Sequence, residues 1–197
     1  YEQWKRNCDL WEIGLPKNPI VLTADERATY EGIAERVRSH DLCRLAFESP
    51  ESMPEQTVVW REPRTGVLMR VRIDLLAPLG STAVVLDLKS TQSPWAAQFM
   101  NSSAKFGYHR QGAIYVDAVQ ALYPDKDAVF VIAAVKNKPP HEVVVHEMDS
   151  DALAHGRMQY HRALDKYLEH RESGEWVSEE EKELQLLTLP AWAWREE

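Results

Sequence analysis

Ala83-Val84-Val85-Leu86-Asp87-Leu88-Lys89 is the stretch on which the fold turns. Its apolar residues do not alternate with polar ones, and Gly80 and Ser81 break the chain just before it, so it suits a strand buried on both faces near the centre of a sheet. Asp87 and Lys89 are two residues apart and therefore project to one face, leaving Leu86 and Leu88 on the other. An unpaired charge in such a strand would neutralise, so these groups need partners.

The flanking sequence supplies a sheet around this strand. Gln56 to Arg61 is rich in β-branched and aromatic residues, Pro63-Arg64-Thr65-Gly66 reads as a turn, and Val67 to Leu76 alternates apolar and polar residues. That pattern predicts a hairpin. Along its second strand Arg70, Arg72 and Asp74 share one face, while Met69, Val71 and Ile73 share the other. Downstream, Ser93 as N-cap and Pro94 at the first helical position predict a helix to about Lys105, and Gly107 separates it from a second helix, Tyr108 to Leu122. Val129 to Val135 predicts another buried strand, Asn137 to Pro140 a turn, and Glu142 to Glu147 an alternating strand. At the two ends, the capping box Thr23/Glu26 predicts a helix over Ala24 to Arg38, and a long amphipathic helix is expected from about Ser150 to His170, stopped at Gly174.

This order is α/β, with a mixed sheet flanked by helices. At 197 residues and 44 % hydrophobic content the chain suits one domain. It is read as a single domain over 1–197: a helical N-terminal part to about 50, a core over 51–148, and a C-terminal helix and tail over 149–197.

Charge and composition narrow the function. The net charge of −8 argues against a protein that coats nucleic acid. Yet between Gln56 and Gln111 seven basic residues (Arg61, Arg64, Arg70, Arg72, Lys89, Lys105, Arg110) face three acidic ones (Glu62, Asp74, Asp87), so this segment carries +4 and the remainder −12. Chance clustering on solvated faces is the plain alternative. The longest apolar run, Ala128 to Val135, is far short of the roughly 20 residues of a membrane helix, and no basic-then-apolar leader opens the chain. A soluble protein in a reducing cytoplasm, with no membrane partner, is expected. Cys8 and Cys43 suggest neither disulfide nor zinc site. His141, His146, His155, His161 and His170 are expected in surface or capping roles, Asp149, Asp151 and the run Glu179 to Glu183 as helix-start and solvated charges, and Trp192 and Trp194 docked on the body of the protein or a neighbouring subunit.

Asp74, Asp87 and Lys89 carry the chemistry on offer. Two carboxylates and an ammonium either pair with one another or hold a hard cation, which prefers carboxylate, carbonyl and water oxygens. A carboxylate-bound metal beside a lysine suits phosphodiester hydrolysis, which needs a nucleophilic water and charge relief at phosphorus. Gln111 and Tyr115 stand at i and i+4 on one helix face and could contact phosphate, or serve as surface and core residues respectively. Glu55 is equally open.

With Ile73-Asp74, Asp87-Leu88-Lys89 and Gln111-Gly112-Ala113-Ile114-Tyr115 in that order, the chain resembles the PD-(D/E)xK nuclease superfamily, the last motif being the QxxxY of its RecB-like branch. Glu55 to Trp60, Arg72-Ile73-Asp74, Asp87 to Thr91, Tyr108-His109-Arg110-Gln111 with Tyr115, and Leu189-Pro190-Ala191-Trp192 resemble the exonuclease VIII (RecE) nucleases and their phage relatives, from about Ile20 onward. The resemblance implies a three-layer α/β/α restriction-endonuclease-like fold. It further implies an exonuclease that uses Mg²⁺, with Mn²⁺ able to substitute, to digest linear double-stranded DNA from 5′ ends. The product strand would pass to a single-strand annealing recombinase in a bacterial or phage-infected cell. On this resemblance Asp74, Asp87 and the Leu88 carbonyl are metal ligands, Lys89 is the catalytic lysine, Gln111 and Tyr115 orient substrate, and Glu55 is an additional acidic site. DNA contacts are expected from Arg70, Arg72, Ser90, Thr91, His109 and Arg110, and a homo-oligomer, ring-like in form, is expected. Two features depart from the family: Ile73 stands where Arg-Pro-Asp is familiar, and His40 does not match the histidine that relatives carry on an upstream helix. An endonuclease or repair nuclease of the same superfamily, or a silent DNA-binding subunit, are the competing readings.

Overall fold

A computed structural model of the chain describes residues 21–176, 181 and 184–194. The Thr23/Glu26 capping box forms reciprocally and opens α1, Ala24–Ser39. A second helix, α2 (Asp41–Glu48), follows without the sequence having announced it: eight residues are too few for a periodic signal, and its N-cap, His40, makes no side-chain cap bond. The hairpin then forms from β1 (Met53–Arg61) and β2 (Leu68–Leu79), and β3 (Thr82–Thr91) returns antiparallel to β2.

The crossover from β3 runs through α3 (Ala96–Phe106) and α4 (Tyr108–Leu122), joined at Gly107, whose φ of 71° lies in the left-handed region. Ser93 does not cap α3. The helix starts at Ala96 behind Trp95, because Thr91 Oγ1 donates to the Ser93 carbonyl and accepts from its amide, holding Ser93 in a turn outside the helix. Strand β4 (Asp127–Lys136) pairs parallel with β3, and β5 (Val143–Glu147) pairs antiparallel with β4. The long helix α5 spans Ser150–Ser173 and ends at Gly174.

The sheet is mixed, in the order β1-β2-β3-β4-β5, with β3 at its centre as expected. One face packs Val58, Val71, Ile73, Val85, Phe130 and Ile132 against Phe99 of α3 and Val116 and Val119 of α4. The other packs Leu75, Val84, Leu86, Val131 and Val135 against Val37 of α1 and Cys43 and Ala46 of α2. The result is a three-layer α/β/α fold. Helix α5 crosses α4 closely at Gly156, where a Cβ would lie 2.2 Å from the His109 carbonyl oxygen.

Two expectations about individual side chains need correction. His141 is buried, with Nδ1 bonded to the Lys136 carbonyl, because it packs against Gly32 beneath α1. Of the two placements expected for Trp194, the one on the body of the chain does not occur: the residue is 67 % exposed and its Nε1 donates to the Leu189 carbonyl of its own turn. Cys43 is free, and burial pushes its thiol up to about 11. Cys8, the Trp192 side chain, and all of Glu179–Glu183 but Glu181 lie outside the described residues. No helix among the described residues is long and apolar enough to cross a membrane.

Candidate active site

Strand β3 is buried on both faces only from Ala83 to Asp87; from Leu88 onward it emerges from both helical layers. The three residues singled out by spacing meet where it emerges. On β2, Val71 and Ile73 are buried while Arg70 and Arg72 are exposed, as alternation requires. The phase changes at Asp74: Ile73 and Leu76 face the α3/α4 layer, whereas Leu75 and Ala77 face the α1/α2 layer. Opposite this irregularity on β1 lies Glu55, held at φ 52°, a conformation that costs a residue with a Cβ about 1–3 kcal/mol.

The irregularity carries Asp74 over to β3 beyond the last β2–β3 pair, Leu75 with Leu86, and its Oδ2 accepts the Leu88 amide at 3.0 Å. Asp87 is 1 % exposed. Its Oδ1 accepts a 2.8 Å hydrogen bond from Gln111 Nε2. Its Oδ2 forms an ion pair with Lys89 Nζ at 2.5 Å, at angles outside ordinary hydrogen-bond geometry. Burial pushes the Asp87 carboxyl above the usual carboxylate range; Lys89 and Gln111 pull against that shift, and the Asp74 charge adds to it. Lys89 Nζ also sits 5.1 Å from the centroid of the Tyr108 ring. Tyr115 donates to the Arg72 carbonyl at 2.9 Å and meets Phe130 edge-on, so it ties α4 to β2 two residues before Asp74.

A groove of about 370 Å³ opens beside Asp74, lined by Glu55, Leu75, Leu86 and Leu88 together with Val37 and Phe47 of the other helical layer. A larger cavity of about 440 Å³ lies on α5, lined in part by the ion-paired Arg64 and Asp165, and it touches none of the residues above. Among the described residues, no group of three or more His, Cys, Asp or Glu side chains is placed to hold a metal ion.

A family described as "PDDEXK-like domain of unknown function (DUF3799)" matches residues 17–184. The chain belongs to this PDDEXK-like family. It is thereby a member of the PD-(D/E)xK-like nuclease superfamily, and its fold is consistent with nuclease activity on DNA. No curated protein matches the sequence. A solved structure titled "Putative exonuclease", from Eubacterium rectale, superposes with a TM-score of 0.62 at 16 % identity, covering 96 % of this chain and 70 % of that one, a likeness of fold. A second, SSO0001, reaches only 0.37 at 11 % identity over 67 % and 66 % of the two chains and carries no argument.

The PDDEXK-like domain distributes the other expected residues unevenly. Glu55 forms an ion pair with Arg72 at 3.1 Å, both exposed. Arg70, Ser90 and Arg110 are exposed, while Thr91 is engaged in the Ser93 turn. His109 is turned away toward α5, where Nε2 pairs with Gln159 Oε1 at 2.9 Å and the ring stacks on His155. Tyr108 is the neighbour of Lys89 that spacing alone did not single out; its position three residues before Gln111, on one helix face, is the signal that would have found it.

Proposed function

We propose that this PDDEXK-like domain is a Mg²⁺-dependent DNA exonuclease of the RecE-like kind. In this reading it hydrolyses phosphodiester bonds of linear double-stranded DNA, 5′ to 3′, and leaves a single strand for an annealing recombinase. The observation that carries the reading is Asp87: a carboxylate buried to 1 % exposure, ion-paired with Lys89 and close enough to the carboxylate of Asp74 for that charge to push its carboxyl upward. A carboxylate this buried, whose charge is opposed by a second carboxylate, is one that a cation would stabilise.

The donor set fits a hard divalent cation. Two carboxylates and the Leu88 carbonyl are oxygen ligands, and Mg²⁺ keeps several waters rather than demanding a full cage of side chains, so a cluster of three acidic side chains is not required. Mn²⁺ accepts the same ligands. When bound, such an ion supplies charge relief at the phosphoryl oxygens and acidifies the attacking water.

The chain's own residues do the remainder. Lys89, within reach of Asp87, would hold the water or the phosphoryl oxygen. The water oxygen attacks phosphorus while the bond to the leaving oxygen breaks, giving a 5′-phosphate and a free 3′-hydroxyl. Gln111 orients Asp87 rather than substrate, and Tyr115 fixes the Arg72 backbone and with it Asp74. Exposed Arg70, Arg72, Ser90 and Arg110 would bind phosphates, whereas Thr91 and His109 are engaged in the Ser93 turn and against α5. Glu55 stands across from Asp74 as an outer acidic group. A ring-shaped homo-oligomer would let this locally basic region hold DNA while the acidic remainder avoids nonspecific binding.

The test is incubation of the parent protein and Lys89→Ala with 5′-end-labelled linear duplex and with closed circular duplex, in Mg²⁺, Mn²⁺ and EDTA. Release of labelled mononucleotides from the linear substrate, in Mg²⁺ or Mn²⁺ and only by the parent, is the expected result. Cleavage of the closed circle would replace the exonuclease with an endonuclease, and no cleavage of any DNA would sink the reading.

A further inference from the structure

From Leu88 to Val116 the chain runs 29 residues without an Asp or Glu, although it holds 31 acidic residues in all. This stretch contains α3, and α3 carries three large side chains in solvent: Trp95 at its cap is 55 % exposed, Met100 65 % and Phe106 61 %. Trp95, Phe99 and Phe106 fall at i, i+4 and i+11, close to one stripe of the helix. Phe99 is buried, while its two aromatic neighbours on that stripe are not.

Phe106 is the end of a series that begins inside the site. Lys89 Nζ lies over the ring of Tyr108, the Tyr108 and Phe106 rings stack with centroids 5.9 Å apart, and Lys105 Nζ reaches the Phe106 ring at 5.7 Å. Arg110 folds its guanidinium over Gly107, between the two aromatic residues in sequence. Cation, ring, ring and cation thus lead from Asp87 to the surface.

We propose that Phe106, backed by Tyr108, is a stacking platform for the bases of an unpaired strand at the mouth of the site, with Lys105 and Arg110 meeting its phosphates. The proposal rests on the nuclease reading and adds to it the form of nucleic acid that this side of the site binds. A protein partner would be served by apolar contact alone and has no need of a cation beside each ring. A duplex hides its base faces within its own stack, whereas an unpaired base offers a π face to an exposed ring, a contact that tolerates any sequence.

The experiment measures binding of a short fluorescent oligothymidine, in EDTA, to the full chain as parent, Phe106→Ala, Phe106→Leu and Phe106→Trp, with closed circular duplex as competitor. One base–aromatic stack is worth about 1–3 kcal/mol, so Phe106→Ala should weaken single-strand binding about tenfold, with Leu no better than Ala and Trp restoring the parent affinity. Phe106 is exposed, and circular dichroism of each variant verifies the fold. Equal affinity of Ala and parent, full recovery by Leu, or no single-strand binding by the parent each overturns the platform. Cleavage assays on the same proteins separate the two readings. Ring-dependent binding without any cleavage leaves the platform and removes the nuclease, and cleavage with ring-independent binding does the reverse.

Discussion

Two carboxylates in this molecule have almost no surface in contact with solvent, yet Asp87 lies much deeper than Glu62 and their partners differ. Glu62 is 3 % exposed at the turn between β1 and β2, and Asp87 is 1 % exposed on β3. Glu62 is surrounded by donors: the Arg64 amide at 3.1 Å, the Thr65 amide at 2.8 Å and the Thr65 hydroxyl at 2.5 Å, with His161 of α5 at 3.6 Å. Burial alone would push its carboxyl up, but those donors outweigh burial and hold it below the usual range. Asp87 receives one aligned hydrogen bond, from Gln111, and remains shifted upward. The difference teaches that loss of solvent contact alone does not set the charge state of a carboxylate. The partners differ instead: Glu62 has spent its lone pairs on holding a turn, whereas the oxygens of Asp87 meet Gln111 and Lys89, side chains of the candidate site.

The largest effect expected from breaking the contrast is at Asp87. Asp87→Asn should reduce metal-dependent DNA cleavage to background in the end-label assay, because the amide offers a weaker ligand and no charge. Lys89→Ala follows, with a loss of about 10²–10³-fold in turnover, typical of removing one preorganised charge-stabilising group. Gln111→Ala should cost less, about 10–100-fold in apparent metal affinity, read by titrating Mg²⁺ against cleavage rate, since Gln111 acts only through Asp87.

The smallest effects sharpen the contrast through stability. Glu62→Gln should leave cleavage unchanged and destabilise the fold by about 1–3 kcal/mol at neutral pH, as buried donors lose their carboxylate. Glu62 is held low in the folded state, so its contribution is present above its unfolded pKa of about 4.3 and disappears as pH falls through the folded value. The difference in Tm between parent and Glu62→Gln should therefore close on acidification. Asp87 has the opposite sign: its folded pKa is raised, so its contribution is present below about pH 3.9 and lost as pH rises through the folded value. The Tm of Asp87→Asn relative to the parent should accordingly climb from acid to neutral pH. Parallel pH trends in the two variants would mean that both carboxylates are structural.

Much of this arrangement was legible beforehand, for identifiable reasons. The capping box at Thr23, the break at Gly107, the stop at Gly174 and the apolar run of β3 are local signals whose physics acts within a few residues, and each element appears where its signal placed it. Helix α2 carried too few residues to display a period, and the start of α3 was lost to a competing hydrogen-bonded turn at Thr91. Within the site, alternation placed Asp87 and Lys89 on a common face, and they do meet. For Gln111 and Tyr115 the helical spacing left contact with phosphate and surface or core roles open. They bond to Asp87 and to the Arg72 carbonyl, because α4 packs directly on the sheet and brings both side chains within reach of protein partners.

By itself, the sequence determined the order of helices and strands, the central position of β3, and the residue types available for phosphodiester chemistry, since periodicity and turn chemistry are properties of short segments. Only the tertiary structure decided that Asp74 leaves the phase of its strand to reach the Leu88 amide, that Asp87 is held between Gln111 and Lys89, and that Tyr108 and Phe106 extend outward from Lys89. Those outcomes depend on which groups far apart in the chain compete for the same donors and the same space, and no local pattern encodes the result of that competition.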